Sequence, residues 1–133
     1  MAIDKGNVDA IFNYAMMLKN ENAINNYEAI KYFKMAIDKG DSDAMHVYAK
    51  MLMNGFVITM KSREEIEEEA IAYLKTAIKK GNSTAMFNYA NMLYEGNGVI
   101  ANKEKAAYYY KMAIQNGNKN ASYFLAVMLD KVD

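Results

Sequence analysis

The sequence predicts an all-α fold, an α/α superhelix (solenoid) of antiparallel helix pairs, and three observations support this. Residues 1–6 (Met-Ala-Ile-Asp-Lys-Gly) recur unchanged at 35–40, and related segments end at Gly81 and Gly117. Apolar residues follow each of the four glycines at the same offsets, with the spacing of one helix face. The chain has no proline, which favours uninterrupted helices. Self-similarity with a period of a few tens of residues is typical of solenoids.

The helix after each glycine, which we call helix A, has a regular apolar face. Counted from the glycine, offsets four and nine hold alanine, offset eleven holds methionine and offset twelve holds leucine in all four copies. Offset eight holds Tyr14, Tyr48 and Tyr89, and then Leu125. These offsets lie on one side of an α-helix, so we expect them to form the core.

A second helix, helix B, precedes each later glycine. Its first copy has Ala29, Tyr32, Phe33, Ala36 and Ile37, and the later copies keep this small–large–small pattern. Alanines let helix axes approach closely, and large side chains fill the space between layers. Glycine suits the left-handed residue that ends helix B, and the asparagine or aspartate after it is expected to cap helix A.

These signals place the helices near residues 7–19, 25–39, 42–54, 63–80, 83–95, 103–116 and 119–130, with no strand. They predict one right-handed superhelical domain, 1–133, made of a partial repeat at 1–5, repeats at 6–39, 40–80 and 81–116, and a half repeat at 117–133. Residues 62–65 (Ser-Arg-Glu-Glu) have the pattern of a capping box that opens a longer second helix B.

Composition excludes several classes of function. Lysine and arginine number 16, as do aspartate and glutamate, and a net charge of zero argues against a nucleic-acid or anionic-membrane partner. Without cysteine there are no disulfides, thiolate metal sites or cysteine nucleophiles. No apolar run of about 18 residues suggests a membrane span, and no secretory signal is visible. A cytoplasmic location is therefore expected.

Catalytic, cofactor and metal sites are not expected. His46 is the only histidine, and its neighbours supply no partner for acid–base or metal chemistry. The glutamates of residues 64–69 suit the solvated first turns of a helix. Residues 96–98 (Gly-Asn-Gly) follow a helix and lack the Gly-Lys-Ser/Thr end of a phosphate loop. The twelve methionines are interpreted mainly as core residues.

One stretch of the sequence carries a family resemblance. Between Gly81 and Gly117 the pattern is Gly-x-x-x-Ala, then Tyr89-Ala90-x-Met92-Leu93-Tyr94-x-Gly96-x-Gly98-Val99, then Lys105-Ala106 and Tyr110-Lys111-x-Ala113. This resembles one repeat of the Sel-one-like repeat (SLR) family, a relative of the tetratricopeptide repeat. Alanine stands at offset nine, where the family often has glycine, and the first repeat lacks the Gly-x-Gly-Val loop. The resemblance implies a scaffold or adaptor whose A helices line a concave surface that receives a peptide or partner domain.

The A-helix positions that differ between repeats are the candidates for partner binding, because packing positions are the ones that repeat. By their match to the tetratricopeptide pattern, offsets six, ten and thirteen face the groove. The candidate groove residues are Phe12, Met16, His46, Lys50, Met53, Phe87, Asn91, Tyr94 and Tyr123. The expected anchors among them are Phe12, His46, Phe87 and Tyr94. The alternative is that some of these side chains are half-buried packing residues, with Phe87 in the core.

Two other functions stay open, a self-assembling structural module and a regulatory segment of a larger protein. Because residues 1–6 duplicate the end of a helix B and the chain stops after a helix A, we expect a segment of a longer solenoid, with a compact natural protein as the alternative. The end layers are expected to self-associate weakly through exposed apolar faces. These faces hold Tyr14, Met17 and Leu18 at one end and Leu125, Met128 and Leu129 at the other.

Overall fold

The computed structural model describes residues 5–20 and 26–130, and in those residues it is built from α-helices and their connections, without a strand. The helices in chain order are α1 (Lys5–Leu18), α2 (Tyr27–Asp38), α3 (Ser42–Met53), α4 (Arg63–Lys79), α5 (Ser83–Glu95), α6 (Lys103–Gln115) and α7 (Lys119–Asp130). All seven predicted helices are present, with small differences at their ends. The odd-numbered helices are A helices, and the even-numbered helices are B helices.

The helices stack in chain order. Each of α1, α3 and α5 packs most extensively on the B helix of its own repeat, and each B helix also packs on the next A helix. Neighbouring A helices meet less closely, as α3 and α5 do. This arrangement confirms the predicted helical-repeat solenoid.

The core repeats the same contacts in each layer. In three layers a tyrosine of helix A meets a tyrosine of helix B edge to face, with ring centroids 4.9, 5.6 and 4.9 Å apart in the pairs Tyr14–Tyr32, Tyr48–Tyr73 and Tyr89–Tyr109. The B-helix alanines are fully buried between layers, as Ala36, Ala77 and Ala113 show. The small side chains bring the helices together, and the tyrosine pairs fill the remaining space.

The helix ends follow the predicted capping chemistry. The glycines after the B helices have positive φ, with values of 86° at Gly40, 86° at Gly81 and 93° at Gly117. Asn82 Oδ1 accepts the backbone N–H of Ala85 at 3.0 Å, and Asp41 and Asn118 accept a first-turn N–H of their own helices. The capping box also forms, because Ser62 and Glu65 each accept the other's backbone N–H at 3.2 Å.

The capping asparagines also join neighbouring layers. Asn82 Nδ2 donates to Ser42 Oγ at 3.0 Å and to Asp43 Oδ1 at 2.8 Å, and both acceptors lie in the first turn of α3. Asn118 Nδ2 donates to the carbonyl oxygen of Ser83 at 3.4 Å. The equivalent Asp41 has only acceptor atoms, and its Oδ2 is buried with no hydrogen-bond partner among the described residues. Amide bridges therefore link α3 to α5 and α5 to α7.

A buried asparagine joins the first two A-to-B connections. Asn26 is fully buried, and its Nδ2 donates to the carbonyl oxygens of Asn20 at 2.8 Å and Phe56 at 3.1 Å. Its Oδ1 accepts the backbone N–H of Asn20 at 2.9 Å. These three bonds satisfy the buried amide and fix the first connection, which has no glycine, against the second.

The first and last described A helices expose different faces, which corrects one expectation. Met17 in α1 is 81% exposed, whereas Met128, at the same offset in α7, is only 4% exposed. The expectation that Met128 lies on an exposed face is wrong, because offset eleven faces the preceding B helix and α6 covers it. Leu129 is 55% exposed, because offset twelve faces the helix B of its own repeat, and no described helix occupies that place after α7.

Candidate functional site

The A helices present a groove with two adjoining cavities, of about 250 and 590 Å³. The smaller cavity lies between α3 and α5, and the larger extends from α3 to the last turn of α1 and the connection that follows it. Four residues border both cavities, namely His46, Lys50, Asn54 and Asn88. We call the surface formed by these two cavities the A-helix groove.

Six of the nine sequence-predicted residues border the A-helix groove. The smaller cavity is lined by His46, Lys50, Met53, Phe87 and Asn91, together with Ala49. Met16 borders the larger cavity. The structure therefore brings side chains of α1, α3 and α5 to one surface, with apolar groups beside cationic and amide groups.

The other three predicted residues lie outside both cavities. Phe12 is half-buried, with its ring 6.0 Å from that of Phe33 in α2. Tyr94 is half-buried, and the ammonium nitrogen of Lys103 lies 6.0 Å from its ring centre. Tyr123 is largely exposed on α7. Phe12 and Tyr94 contact neighbouring side chains, and Tyr123 lies on the last described helix, so a binding role for these three residues stays a prediction.

Phe87 borders the groove and also packs against the core. Its ring lies 6.1 Å from that of Tyr110 and 5.1 Å from that of Phe124, which connects α5 to α6 and α7. The two interpretations of Phe87, anchor and packing residue, are therefore compatible in this structure.

Three polar side chains in the groove have hydrogen-bonding capacity to spare. Tyr110 donates its hydroxyl to Asn91 Oδ1 at 2.5 Å, so the Nδ2 group of Asn91 keeps two N–H donors. Within the described residues, neither that Nδ2 group nor the side chains of Asn88 and Lys50 makes a hydrogen bond or ion pair. Burial raises the pKa of Tyr110 to about 12, so its hydroxyl remains a donor near neutral pH.

Charge is distributed unevenly along the groove. Lys50 borders both cavities, and Lys19 borders the larger one. Glu95, at the end of α5, borders only the smaller cavity. The groove is thus cationic toward α1 and anionic toward the end of α5.

His46 lies in the groove with a side chain that is only 15% exposed, and its Nε2 is 3.5 Å from the Asp43 carboxylate. Burial lowers the pKa of His46 below its ordinary value of 6.5. The carboxylate of Asp43 opposes this change, and the positive charge of Lys50 adds to it. The imidazole is therefore neutral near pH 7.

We expect the stability of the protein to fall on acidification in a way that depends on His46. Because the pKa is lower in the folded state, the unfolded chain takes up the proton first as the pH falls below 6.5. The contribution of the neutral His46 side chain to the free energy of unfolding is complete above pH 6.5, and it is lost as the pH falls toward the folded-state pKa. The control variant is His46→Phe, because phenylalanine stands at the same offset in α1 and α5. Between pH 7.5 and pH 5.5, the Tm of this variant should fall less than the Tm of the unchanged protein. An equal fall in both proteins would contradict the assignment.

Sequence reasoning missed several groove residues, mainly Asn54, Asn88 and Glu95. Asn88 is at offset seven, and Asn54 and Glu95 are at offset fourteen. Offset seven stands three residues before offset ten, and offset fourteen stands four residues after it. Both therefore lie on the same helix face as offset ten. Offset seven holds Asn, Val, Asn and Phe in the four copies, so its variation was a usable signal.

The described residues contain no group of three or more histidine, aspartate or glutamate side chains arranged to hold a metal ion. None of the helices in this part of the chain is both long and apolar enough to cross a membrane. The residues that line the groove offer hydrogen-bond donors, apolar side chains and exposed charged groups.

Comparison of the sequence with known families identifies three consecutive matches to the Sel1 repeat, over residues 8–41, 42–82 and 83–118. The chain belongs to the Sel1 repeat family. Sel1 repeats are generally modules for protein–protein interaction and generally non-enzymatic scaffolds. Among curated proteins, no significant match to the chain was found.

Two solved structures show the same architecture. A Sel1 repeat protein from Oxalobacter formigenes superposes with a TM-score of 0.72 and 28% sequence identity over 89% of this chain. The c5321 protein, a protective antigen of uropathogenic Escherichia coli with an SLR fold, superposes with a TM-score of 0.71 and 26% identity over 91% of this chain. The match covers 47% of the first protein and 25% of the second.

Proposed function

We propose that this Sel1 repeat protein is a scaffold or adaptor whose A-helix groove binds an extended segment of a partner protein. The observation that carries the proposal is the set of donors without partners in the described residues, on Lys50, Asn88 and Asn91, beside the apolar side chains of Met53 and Phe87. Hydrogen-bond donors without partners next to an apolar surface suit a ligand that offers both carbonyl oxygens and apolar side chains.

The spacing of the two asparagines favours an extended ligand over a helical one. Asn88 and Asn91 lie one turn apart on α5, which places their Cβ atoms about 5–6 Å from each other. Alternate residues of an extended chain are about 6.6 Å apart and point their carbonyl groups the same way. In a helix, the carbonyl groups are already used by the internal hydrogen bonds. The amide groups therefore match the backbone of an extended peptide.

The charges of the groove indicate the composition of the ligand. An acidic side chain near Lys50 and a basic side chain near Glu95 would complement the two ends of the smaller cavity. An apolar side chain between them would contact Met53 and Phe87. Because Lys50 and Glu95 are exposed, we expect the affinity to fall as the ionic strength rises.

The proposal is tested by selecting binders from a displayed library of random peptides and measuring their affinities by fluorescence anisotropy. Lys50→Ala and Asn88→Ala should each weaken a selected peptide about tenfold or more, since each removes a donor that faces the ligand. Lys75→Ala, an exposed change on α4 outside the groove, should leave the affinity unchanged. All three variants should keep the helical circular dichroism signal. Selected peptides that bind both groove variants normally would show that this surface is not the binding site.

A further inference from the structure

We propose that Asn97 is a site of spontaneous deamidation, at which reaction with water converts a groove-lining amide into a carboxylate. Asn97 is exposed and lines the smaller cavity of the A-helix groove, two residues after Glu95. The reaction therefore adds a second negative charge to the anionic end of the groove. It consumes only water and releases ammonia.

The reaction is an intramolecular substitution at the side-chain amide. The backbone nitrogen of Gly98 forms a bond to Cγ of Asn97, and the bond between Cγ and Nδ2 breaks. The Nδ2 group leaves as ammonia with the proton that the Gly98 nitrogen loses, and a succinimide ring remains. Water then opens the ring at either carbonyl carbon, which gives aspartate or isoaspartate. Glycine favours the first step because it has no side chain to obstruct the attacking nitrogen.

The chain has three Asn-Gly sequences, at 54–55, 97–98 and 116–117, and the structure distinguishes them. Among the described residues, neither the side-chain amide of Asn97 nor the backbone N–H of Gly98 makes a hydrogen bond. Both reacting groups can therefore meet without the loss of a hydrogen bond. Asn97 also lies just after the end of α5, where the helical hydrogen-bond pattern no longer fixes the next peptide group.

The other two Asn-Gly sequences are held by helix ends. The backbone N–H of Gly55 donates to the carbonyl oxygen of Leu52 at 3.3 Å, and that of Gly117 donates to the carbonyl oxygen of Ile114 at 3.0 Å. The Nδ2 group of Asn116 also donates to a carbonyl oxygen of α6 at 2.9 Å. Ring closure must break these bonds, so we expect both sequences to react more slowly than 97–98.

The fold requires the glycine of this sequence but not the asparagine. Gly98 has a φ of 77°, and a Cβ atom there would lie 3.0 Å from Cε of Met53. Asn97 stands at offset sixteen, where the preceding repeat has Phe56. Both residues donate their backbone N–H to the carbonyl oxygen of the methionine at offset eleven. Because this bond uses only the backbone, the Asn97 side chain is left available for reaction.

The added charge changes which ligands suit the groove, a consequence that rests on the proposed peptide-binding function. A second carboxylate near Glu95 favours a basic side chain of the ligand at this end and opposes an acidic one. The variant Asn97→Asp carries this charge. For a selected peptide and its Lys→Glu form, we expect Asn97→Asp to raise the ratio of the two affinities about threefold, a modest effect because the position is exposed.

The deamidation itself is tested by incubating the folded protein at pH 8 and 37 °C and following each Asn-Gly sequence by peptide mapping with mass spectrometry. Asn97 should react at least tenfold faster than Asn116, and a more acidic species should appear on ion-exchange chromatography. In guanidinium chloride, where the helix ends are unfolded, the three sequences should react at similar rates. Asn97→Gln should remove the early acidic species, because the longer side chain cyclises far less readily. The matched control Asn116→Gln should retain that species.

Two results would overturn the inference. One is a reaction at Asn54 or Asn116 in the folded protein that is as fast as the reaction at Asn97. The other is a ratio of rates that is the same in the folded and the unfolded chain, since the hydrogen bonds would then have no influence. An affinity ratio that Asn97→Asp leaves unchanged would overturn the effect on the ligand. The mass measurement needs no peptide, so failure of the proposed function is distinguishable from failure of this inference.

Discussion

Replacing Tyr110 with alanine is expected to lower the free energy of unfolding by about 3–5 kcal/mol, as for other enclosed aromatic residues. Tyr110 is 1% exposed, and its ring packs on Phe87 and stacks on Phe124 at 6.4 Å between centroids. The change would remove the side chain that joins α5, α6 and α7. Urea denaturation followed by circular dichroism measures the loss. For a domain of this size, we also expect the Tm to fall by roughly 10–20 °C.

The matched control is Tyr110→Phe, which keeps the ring and removes only the hydroxyl that donates to Asn91 Oδ1. We expect this variant to lower the free energy of unfolding by about 1 kcal/mol, which is the usual net contribution of one hydrogen bond. Alanine and phenylalanine variants of equal stability would show that ring packing is not the main contribution. Because Asn91 borders the groove, Tyr110→Phe should also change peptide affinity without unfolding the protein.

Phe87→Ala is expected to have two separable effects. Loss of the contacts with Tyr110 and Phe124 should lower the free energy of unfolding by about 2–4 kcal/mol, near the lower end for aromatic truncations because Phe87 is only half-buried. Loss of the apolar groove surface should weaken a selected peptide at least tenfold, or about 1.4 kcal/mol. The affinity is measured at a temperature where circular dichroism shows the variant to be folded.

Phe12→Ala is the comparison that distinguishes packing from binding. Phe12 stands at the same offset and packs on Phe33 in an equivalent way, but it borders neither cavity. Phe12→Ala should lower the Tm and leave the affinity of the folded protein for a selected peptide unchanged. An equal loss of affinity for Phe12→Ala and Phe87→Ala would extend the groove to the start of α1. A normal affinity for Phe87→Ala would leave Phe87 as a packing residue only.

The positions and types of the helices were predictable because each repeat places the same residues in the same surroundings. The glycines with positive φ and the capping Asn82 mark helix ends by local chemistry, which sequence displays directly. The hydrogen bonds of Asn26 were not predictable, since they join connections that share no repeated pattern. Repetition identifies which residues pack but does not identify the neighbour that covers them. For this reason the adjacent Met128 and Leu129 were both expected at the surface, although only Leu129 is exposed.

The groove was predictable in its location and only partly in its composition. Offsets six, ten and thirteen place His46, Lys50 and Met53 on one face of α3, and all three line the smaller cavity, while their role in binding stays a prediction. The contribution of Asn88 depends on how far α5 is rotated relative to α3, because that rotation decides whether offset seven turns toward the cavity. Variation at offset seven makes Asn88 a candidate, but the angle results from many contacts between layers, so the sequence does not show which way the side chain turns.

The single carboxylate among the helix A caps leaves the first layer boundary without an amide bridge at the start of helix A. Asp41 cannot donate a hydrogen bond toward α1, whereas Asn82 and Asn118 each hold the preceding A helix. Burial raises the pKa of Asp41, and repulsion from the nearby Asp9 of α1 adds to this effect. The first two layers are joined instead at their A-to-B connections, where the buried Asn26 donates to the carbonyl oxygen of Phe56 at 3.1 Å. Within the described residues, each of the three layer boundaries therefore has one side-chain amide bridge, at the start of helix A in two of them and in the A-to-B connection in the first.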